Sequence, residues 1–193
     1  MTEWRAEITV FEKRNGPLTK HFELRDGKVV NDSGDCRMAN GYARRVVIDN
    51  MQALADLINR FTSREAYALG RLKDGVPDRV EVVRADKLNG ADPSVIARMK
   101  EYLLFNEGEF GLALLDIDFK GMSETAKQRM DECGGEIWGA LCEVLPALET
   151  VACVQRASTS SGLRNIITGE CFTGSGGLHI VIPVHGISCG LVS

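Results

Sequence analysis

Phe110-Gly111-Leu112-Ala113-Leu114-Leu115-Asp116-Ile117-Asp118-Phe119 is a dense apolar run that closes on two acids. Such a run predicts an interior β-strand, over Leu112 to Phe119. Alternate strand residues face one side, so Asp116 and Asp118 project together while Leu115, Ile117 and Phe119 point into the opposite packing layer. Two like charges then share one surface, and a shared proton, an arginine or a divalent cation relieves their repulsion. Mg2+ or Mn2+ suits an oxygen-only pair best, because these hard ions take one or two carboxylates and leave substrate phosphates to complete the shell. Two such ions clamp the attacking and leaving oxygens of an in-line displacement. The plainer alternative is a strand that ends at Asp116 with both acids solvated in the following turn.

Downstream, the pattern predicts a helix from Ser123 to Cys133 stopped by Gly134-Gly135, and a second from Ile137 to Leu145. Strands are expected around Cys153 to Ala157 and from Leu178 to Val184. Thr173-Gly174-Ser175-Gly176-Gly177 feeds that last strand, which carries His179 near its start. Glycines such as Gly176 and Gly177 let backbone N–H groups approach an anion, and Ser175 and His179 add donors for phosphate oxygens. Ordinary turn chemistry and a satisfied strand histidine are the bland alternatives. Arg156-Ala157-Ser158-Thr159-Ser160-Ser161-Gly162 sits where a strand ends; Arg156, Ser158 and Ser160 are candidates to line the same site and touch nucleotide or template phosphate.

Upstream, alternation at Ile8-Thr9-Val10 and around Phe22 and Leu24 predicts antiparallel strands joined at Asn15-Gly16-Pro17. A hairpin or loop spans Asp26 to Gly41, and a short strand covers Arg45 to Ile48. Asn50 caps an expected helix with apolar residues at Met51, Leu54, Leu57, Ile58 and Phe61. Further helices are expected from Ser63 to Leu72 and from Asp92-Pro93 to about Leu104, with a strand from Val80 to Val83 between them. Arg44-Arg45 and the set Arg71, Lys73 and Arg79 read as solvated faces, or as template contacts.

The 193 residues, 44% hydrophobic, are enough for a substantial core. Net charge is −4, so attraction to a polyanion must come from local patches. Six cysteines (Cys36, Cys133, Cys142, Cys153, Cys171 and Cys189) lack a paired zinc-binding spacing and read as reduced, mostly buried thiols. His21 and His185 have no nearby sequence partner and are expected at the surface, and three histidines without ligand spacing speak against a zinc hydrolase. No apolar run reaches membrane-spanning length and no secretion leader is recognisable, so a cytoplasmic location without membrane contact is expected.

Taken together, Leu114-Leu115-Asp116-Ile117-Asp118, the segment Arg156 to Gly162, and Gly174-Ser175-Gly176-Gly177-Leu178-His179 resemble the archaeo-eukaryotic primase superfamily, the primase-polymerases, in the versions found in phages and mobile elements. The resemblance covers about Phe110 to Val184. It implies an α+β fold with an RRM-like palm of antiparallel strands on helices, residues 106–193, joined to an N-terminal α/β unit, residues 1–105, in a single domain 1–193. It also implies template-dependent nucleotidyl transfer, as a DNA or RNA primase-polymerase in replication. Asp116 and Asp118 would bind Mg2+ or Mn2+, His179 and Ser175 the incoming nucleoside triphosphate. Single-stranded DNA template and a replicative helicase would be the partners, in a bacterial cell or phage-infected host.

The family's third motif adds a metal-binding aspartate downstream of the histidine strand, and no Asp or Glu follows His179 here. The sequence therefore carries the expectation of a truncated or partial palm. A catalytically inactive module that binds nucleotide or nucleic acid is the alternative. Metal-dependent glycosyltransferases and haloacid-dehalogenase-like phosphatases use a similar short acidic motif. The latter want Thr or Val soon after the second acid, where this chain has Phe119-Lys120-Gly121.

Overall fold

The structure, a computed structural model, describes residues 4–88, 92–105, 108–119, 121–172 and 177–186. It begins with β1 (Ala6–Lys13), β2 (His21–Arg25), β3 (Lys28–Asp32), β4 (Gly41–Ile48), α1 (Met51–Asn59) and β5 (Glu65–Ala68). Then come β6 (Arg71–Leu72), β7 (Arg79–Val83), β8 (Val95–Ala97) and β9 (Leu103–Leu104). It continues with β10 (Phe110–Ile117), α2 (Glu124–Glu132), α3 (Ile137–Val144), β11 (Val154–Ala157) and β12 (Leu178–His185). The class is mixed α+β. Two compact units are distinguished, one of Met1–Ala113 with Pro183–Ser193 and one of Leu114–Ile182.

In the first unit β1 is buried along Ile8, Thr9, Val10 and Phe11, on both of its faces. It is flanked by β4 and β5, both antiparallel to it, in a five-stranded sheet of order β5-β1-β4-β7-β8. Residues that alternate in such a strand need apolar partners on either side, which explains the unbroken run Ile8-Thr9-Val10-Phe11. Phe11, Ala43, Leu72, Val80, Val82 and Ile96 form the core cluster on one face. Thr9, the polar member of the run, donates its hydroxyl to the Gly70 carbonyl at 2.8 Å and so carries no unmet donor inside. Helix α1 starts at Asn50, whose side chain accepts from Ala53 N at 2.8 Å, and buries Met51, Leu54, Leu57 and Ile58.

Several expectations are corrected. β1 does not pair with the strand after Asn15-Gly16-Pro17; β2 pairs instead with β3, across a two-residue Asp26-Gly27 turn with φ of 50° and 72°. Both positive values suit the type of tight hairpin turn for which Asp-Gly is preferred. The helix expected from Ser63 to Leu72 is β5 and β6: the edge of β1 takes Glu65–Ala68 as a strand, and Gly70 interrupts the segment. Ladder pairing outweighs a weak local helix preference. The helix expected from Asp92 is also absent. The Asp92 carboxylate accepts from both the N–H and the hydroxyl of Ser94, closing a turn, and Val95–Ala97 then runs parallel to β7. Those two bonds also hold the Asp92 carboxyl below its ordinary pKa.

Arg45 is no solvated residue. Its guanidinium, mostly covered, bonds Glu7 at 2.8 Å, Asp78 at 3.1 Å and the Leu72 carbonyl at 2.9 Å. The cysteines are less buried than expected: Cys36, Cys133, Cys142 and Cys153 are half-buried thiols and Cys171 is exposed, while Cys189 lies outside the described residues. His21 and His185 are exposed as expected. Among the described residues no helix is long and apolar enough to cross a membrane.

Leu72 is wholly enclosed and Leu24, on the β2–β3 hairpin, is exposed. Leu72→Ala should therefore lower the unfolding free energy by about 2–5 kcal/mol in a urea titration. Leu24→Ala should change it by less than about 0.5 kcal/mol. Equal effects would contradict this placement of the core.

Candidate functional site

The second unit is built on a sheet of order β10-β12-β11, so the strand with the histidine is central and the strand with the aspartates lies at an edge. This corrects the expectation of an interior strand. Leu112 is buried, but Leu114 is 44% exposed and the exposed alternation continues through Asp116 and Asp118. Leu115, Ile117 and Phe119 are half-buried, consistent with the opposite side of the strand. Helices α2 and α3 form where the sequence predicts them; Ser123 caps α2 by accepting from Ala126 N at 3.2 Å, and Gly134 and Gly135 end it with positive φ.

β11 and β12 pair antiparallel with Arg156 opposite His179 and Ala157 opposite Leu178. Directly opposed residues put their side chains on the same face. The Nε2 of His179 lies 3.3 Å from Oδ1 of Asp116, a polar contact between side chains that are 36% and 70% exposed. Residues 63 positions apart in the chain thus meet on one face, with Arg156 beside His179. Arg156 is exposed and makes no ion pair among the described residues.

Gly177 is the pivot of this face. A Cβ there would stand 3.0 Å from the Ile117 carbonyl oxygen and 3.0 Å from the Ser158 hydroxyl. The strand ending in the aspartates, the residue entering the histidine strand, and the serine turn after β11 therefore converge so closely that a larger residue would require its neighbours to shift. The Gly177 carbonyl accepts from Ser158 N at 2.8 Å and from the Ser161 hydroxyl at 2.8 Å. Ser158 and Ser161 hydroxyls lie 3.0 Å apart, and Ser158 and Ser160 hydroxyls 3.3 Å apart.

Of the residues expected at the site, Asp116, His179, Arg156, Ser158, Ser160 and Gly177 are brought together in this one unit. Asp118 follows directly after β10 and is exposed. Ser175 and Gly176 lie outside the described residues. Ser161 was not singled out from the sequence: in a run of four hydroxyl residues nothing marks which one clasps a distant carbonyl.

The donor set suits a hard cation in kind. Two carboxylates on alternate positions of a strand end offer oxygens, and their exposure leaves room for water and phosphate around an ion. Among the described residues, no three His, Cys, Asp or Glu side chains converge in a metal-holding group. Among the described residues, Asp116 and Asp118 are the pair that could offer oxygens to such an ion.

The crowding at Gly177 makes a stability prediction. Gly177→Ala should destabilise the fold by about 1–3 kcal/mol. Gly139→Ala, inside α3 where a Cβ meets nothing closer than 3.6 Å, should stabilise it by about 0.4–1 kcal/mol. Thermal melts of the two variants beside the parent would reveal the opposite signs; a neutral Gly177→Ala would refute the close approach. No protein-family model, no curated protein and no solved structure significantly matches the chain.

Proposed function

We propose that this chain carries the nucleotide and metal site of a primase-polymerase, with an RRM-like palm formed by the three-stranded sheet and its helices. The observation that supports it most is the meeting of Asp116 with His179 on adjacent strands, with Arg156 opposed to His179. A lone acidic strand end or a lone strand histidine has a bland explanation; their convergence beside an arginine and a hydroxyl turn is harder to explain without a ligand. The chemistry is nucleotidyl transfer to a strand paired with single-stranded DNA template, from a nucleoside triphosphate. Replication of a phage, plasmid or other mobile element, alongside a helicase, is the setting this implies.

Asp116 and Asp118 would hold Mg2+ or Mn2+, which when bound neutralises charge growing on the phosphate oxygens. His179 offers an imidazole donor to a phosphate oxygen, and Arg156 a planar, permanently charged one. Ser175, Gly176 and Gly177 would contribute hydroxyl and backbone donors, with Ser158 and Ser160 at the rim. Donors fixed in place before substrate arrives lower the barrier because they need no reorganisation during reaction.

A second proposal is a module that binds nucleotide or nucleic acid without turnover. Its support is the small acid count: Asp116 and Asp118 are the two carboxylates of the motif, and Asp116 already engages His179. A template-extension assay separates the two, since any turnover excludes the inactive module.

Calorimetric titration with a nucleoside triphosphate, with and without Mn2+, tests the shared core of both. Binding should depend on Mn2+ and fall at least about tenfold in Asp116→Asn, the loss of a charged ligand being worth more than about 1.4 kcal/mol. Undiminished binding of nucleotide and Mn2+ by the variant would overturn the assignment of the site.

A further inference from the structure

Between Gly162 and the clasp at Gly177 the chain folds a hairpin, residues 163–172, that neither the acidic strand nor the histidine strand requires. Its arms are joined by an antiparallel bridge between Arg164 and Cys171. Asn165 N donates to the Glu170 carbonyl at 2.8 Å, and Phe172 N to the Leu163 carbonyl at 2.9 Å. The tip is ordered from within. Asn165 Oδ1 accepts from the N–H groups of Ile167 at 2.9 Å and Thr168 at 3.2 Å, and Gly169 N donates to the Asn165 carbonyl at 2.8 Å.

On that tip Ile166 is 97% exposed and Ile167 is 89% exposed. A turn that needed only to reverse the chain would carry polar residues here. Two adjacent β-branched apolar side chains held out in water by a specific bond network give the fold no burial in return.

Arg164 on the same hairpin fixes one end of its guanidinium, Nε to the Gly169 carbonyl at 3.0 Å, and makes no ion pair among the described residues. Arg156, at the foot of the same segment, likewise makes none among the described residues and is exposed. Glu170 is the acid of the hairpin. Exposed branched apolar side chains on the same segment as guanidiniums without ion pairs can hold a nucleic-acid strand: the cations take phosphates, and an apolar wedge such as isoleucine enters a base step.

We propose that the hairpin 163–172 is the grip on the single-stranded template, with Ile166 and Ile167 against the bases and Arg164 and Arg156 on the phosphates. It rests on the nucleotidyl-transfer proposal for the choice of DNA as occupant, and assigns the template a contact point on the same unit as Asp116 and His179. Because the two isoleucines support no core, replacing them leaves the fold intact, which a thermal melt verifies.

The experiment is anisotropy titration of a fluorescein-labelled single-stranded DNA oligonucleotide at several salt concentrations, with the Mn2+-dependent nucleotide titration alongside. Ile166→Ser combined with Ile167→Ser should weaken DNA binding about tenfold with nucleotide binding unchanged, and the corresponding double leucine variant should restore it. Arg164→Ala should reduce the slope of log affinity against log salt by about one, which the serine variant should not. DNA affinity equal to the parent's in the serine variant would overturn the proposal, as would a parent that binds no DNA. An altered sedimentation coefficient of the serine variant with unaltered DNA affinity would assign the tip to a second copy of the chain instead, and also overturn it. A parent that binds DNA through the tip but no nucleotide would defeat the nucleotidyl-transfer proposal and leave the hairpin contact standing.

Discussion

The close approach at Gly177 is the constraint on which the candidate site depends. Three segments distant in sequence meet there: the end of β10, the entry to β12 and the serine turn that follows β11. A hydrogen atom in place of a side chain lets the Ile117 carbonyl and the Ser158 hydroxyl reach the Gly177 backbone. From that contact the geometry of the face follows. Two residues further along β12, His179 comes within 3.3 Å of Asp116, one residue before Ile117. The register of β11 then sets Arg156 opposite His179. Ser158 N and the Ser161 hydroxyl, both on the Gly177 carbonyl, keep this register from slipping, because a one-residue shift would turn Arg156 to the other side.

The first unit is held by different physics. Its interior strand β1 is dry on both faces, and the burial of Ile8, Val10 and Phe11, the last in the core cluster, supplies much of the stabilisation. Arg71 leaves its buried Nε without a hydrogen-bond partner among the described residues, while Thr9 is answered inside by the Gly70 carbonyl and Arg45 by Glu7, Asp78 and the Leu72 carbonyl. An arginine so bonded ties together strands and turns that local propensity alone does not join. Glu7 lies opposite Val47, two residues beyond Arg45 on β4, so the pair also reinforces the β1–β4 register.

What was legible in the sequence was mainly what local chemistry decides. Asn50 and Ser123 announce helix starts, Gly134-Gly135 a helix stop, and the runs at Ile8, Val80, Leu112 and Leu178 announce strands, because caps and apolar periods act over a few residues. The segments Glu65–Ala68 and Val95–Ala97 were misjudged because their state is set by distant partners, the free edges of β1 and β7. Partner choice in general was not legible: nothing within residues 6–25 tells β1 to pair with β4 and β5 instead of β2. At the candidate site, Asp116, Arg156, Ser158 and His179, singled out by residue type and order, lie in one unit. The clasp of Ser161 on Gly177 was not, since hydroxyl runs look alike until a carbonyl is brought to one of them.

The edge position of β10 has a further consequence. An interior acidic strand would have had to bury its two carboxylates, at a desolvation cost of several kcal/mol per charge unless each was paired. At the edge, Asp116 keeps most of its side chain in water while still reaching His179. The pair therefore holds a defined geometry without the penalty of burial, and its carboxylate oxygens remain reachable from solvent. Rigidity comes from the glycine-serine seam beneath, not from enclosure. The carboxylate of Asp116, the imidazole of His179 and the guanidinium of Arg156 thus share one side of the sheet, open to solvent.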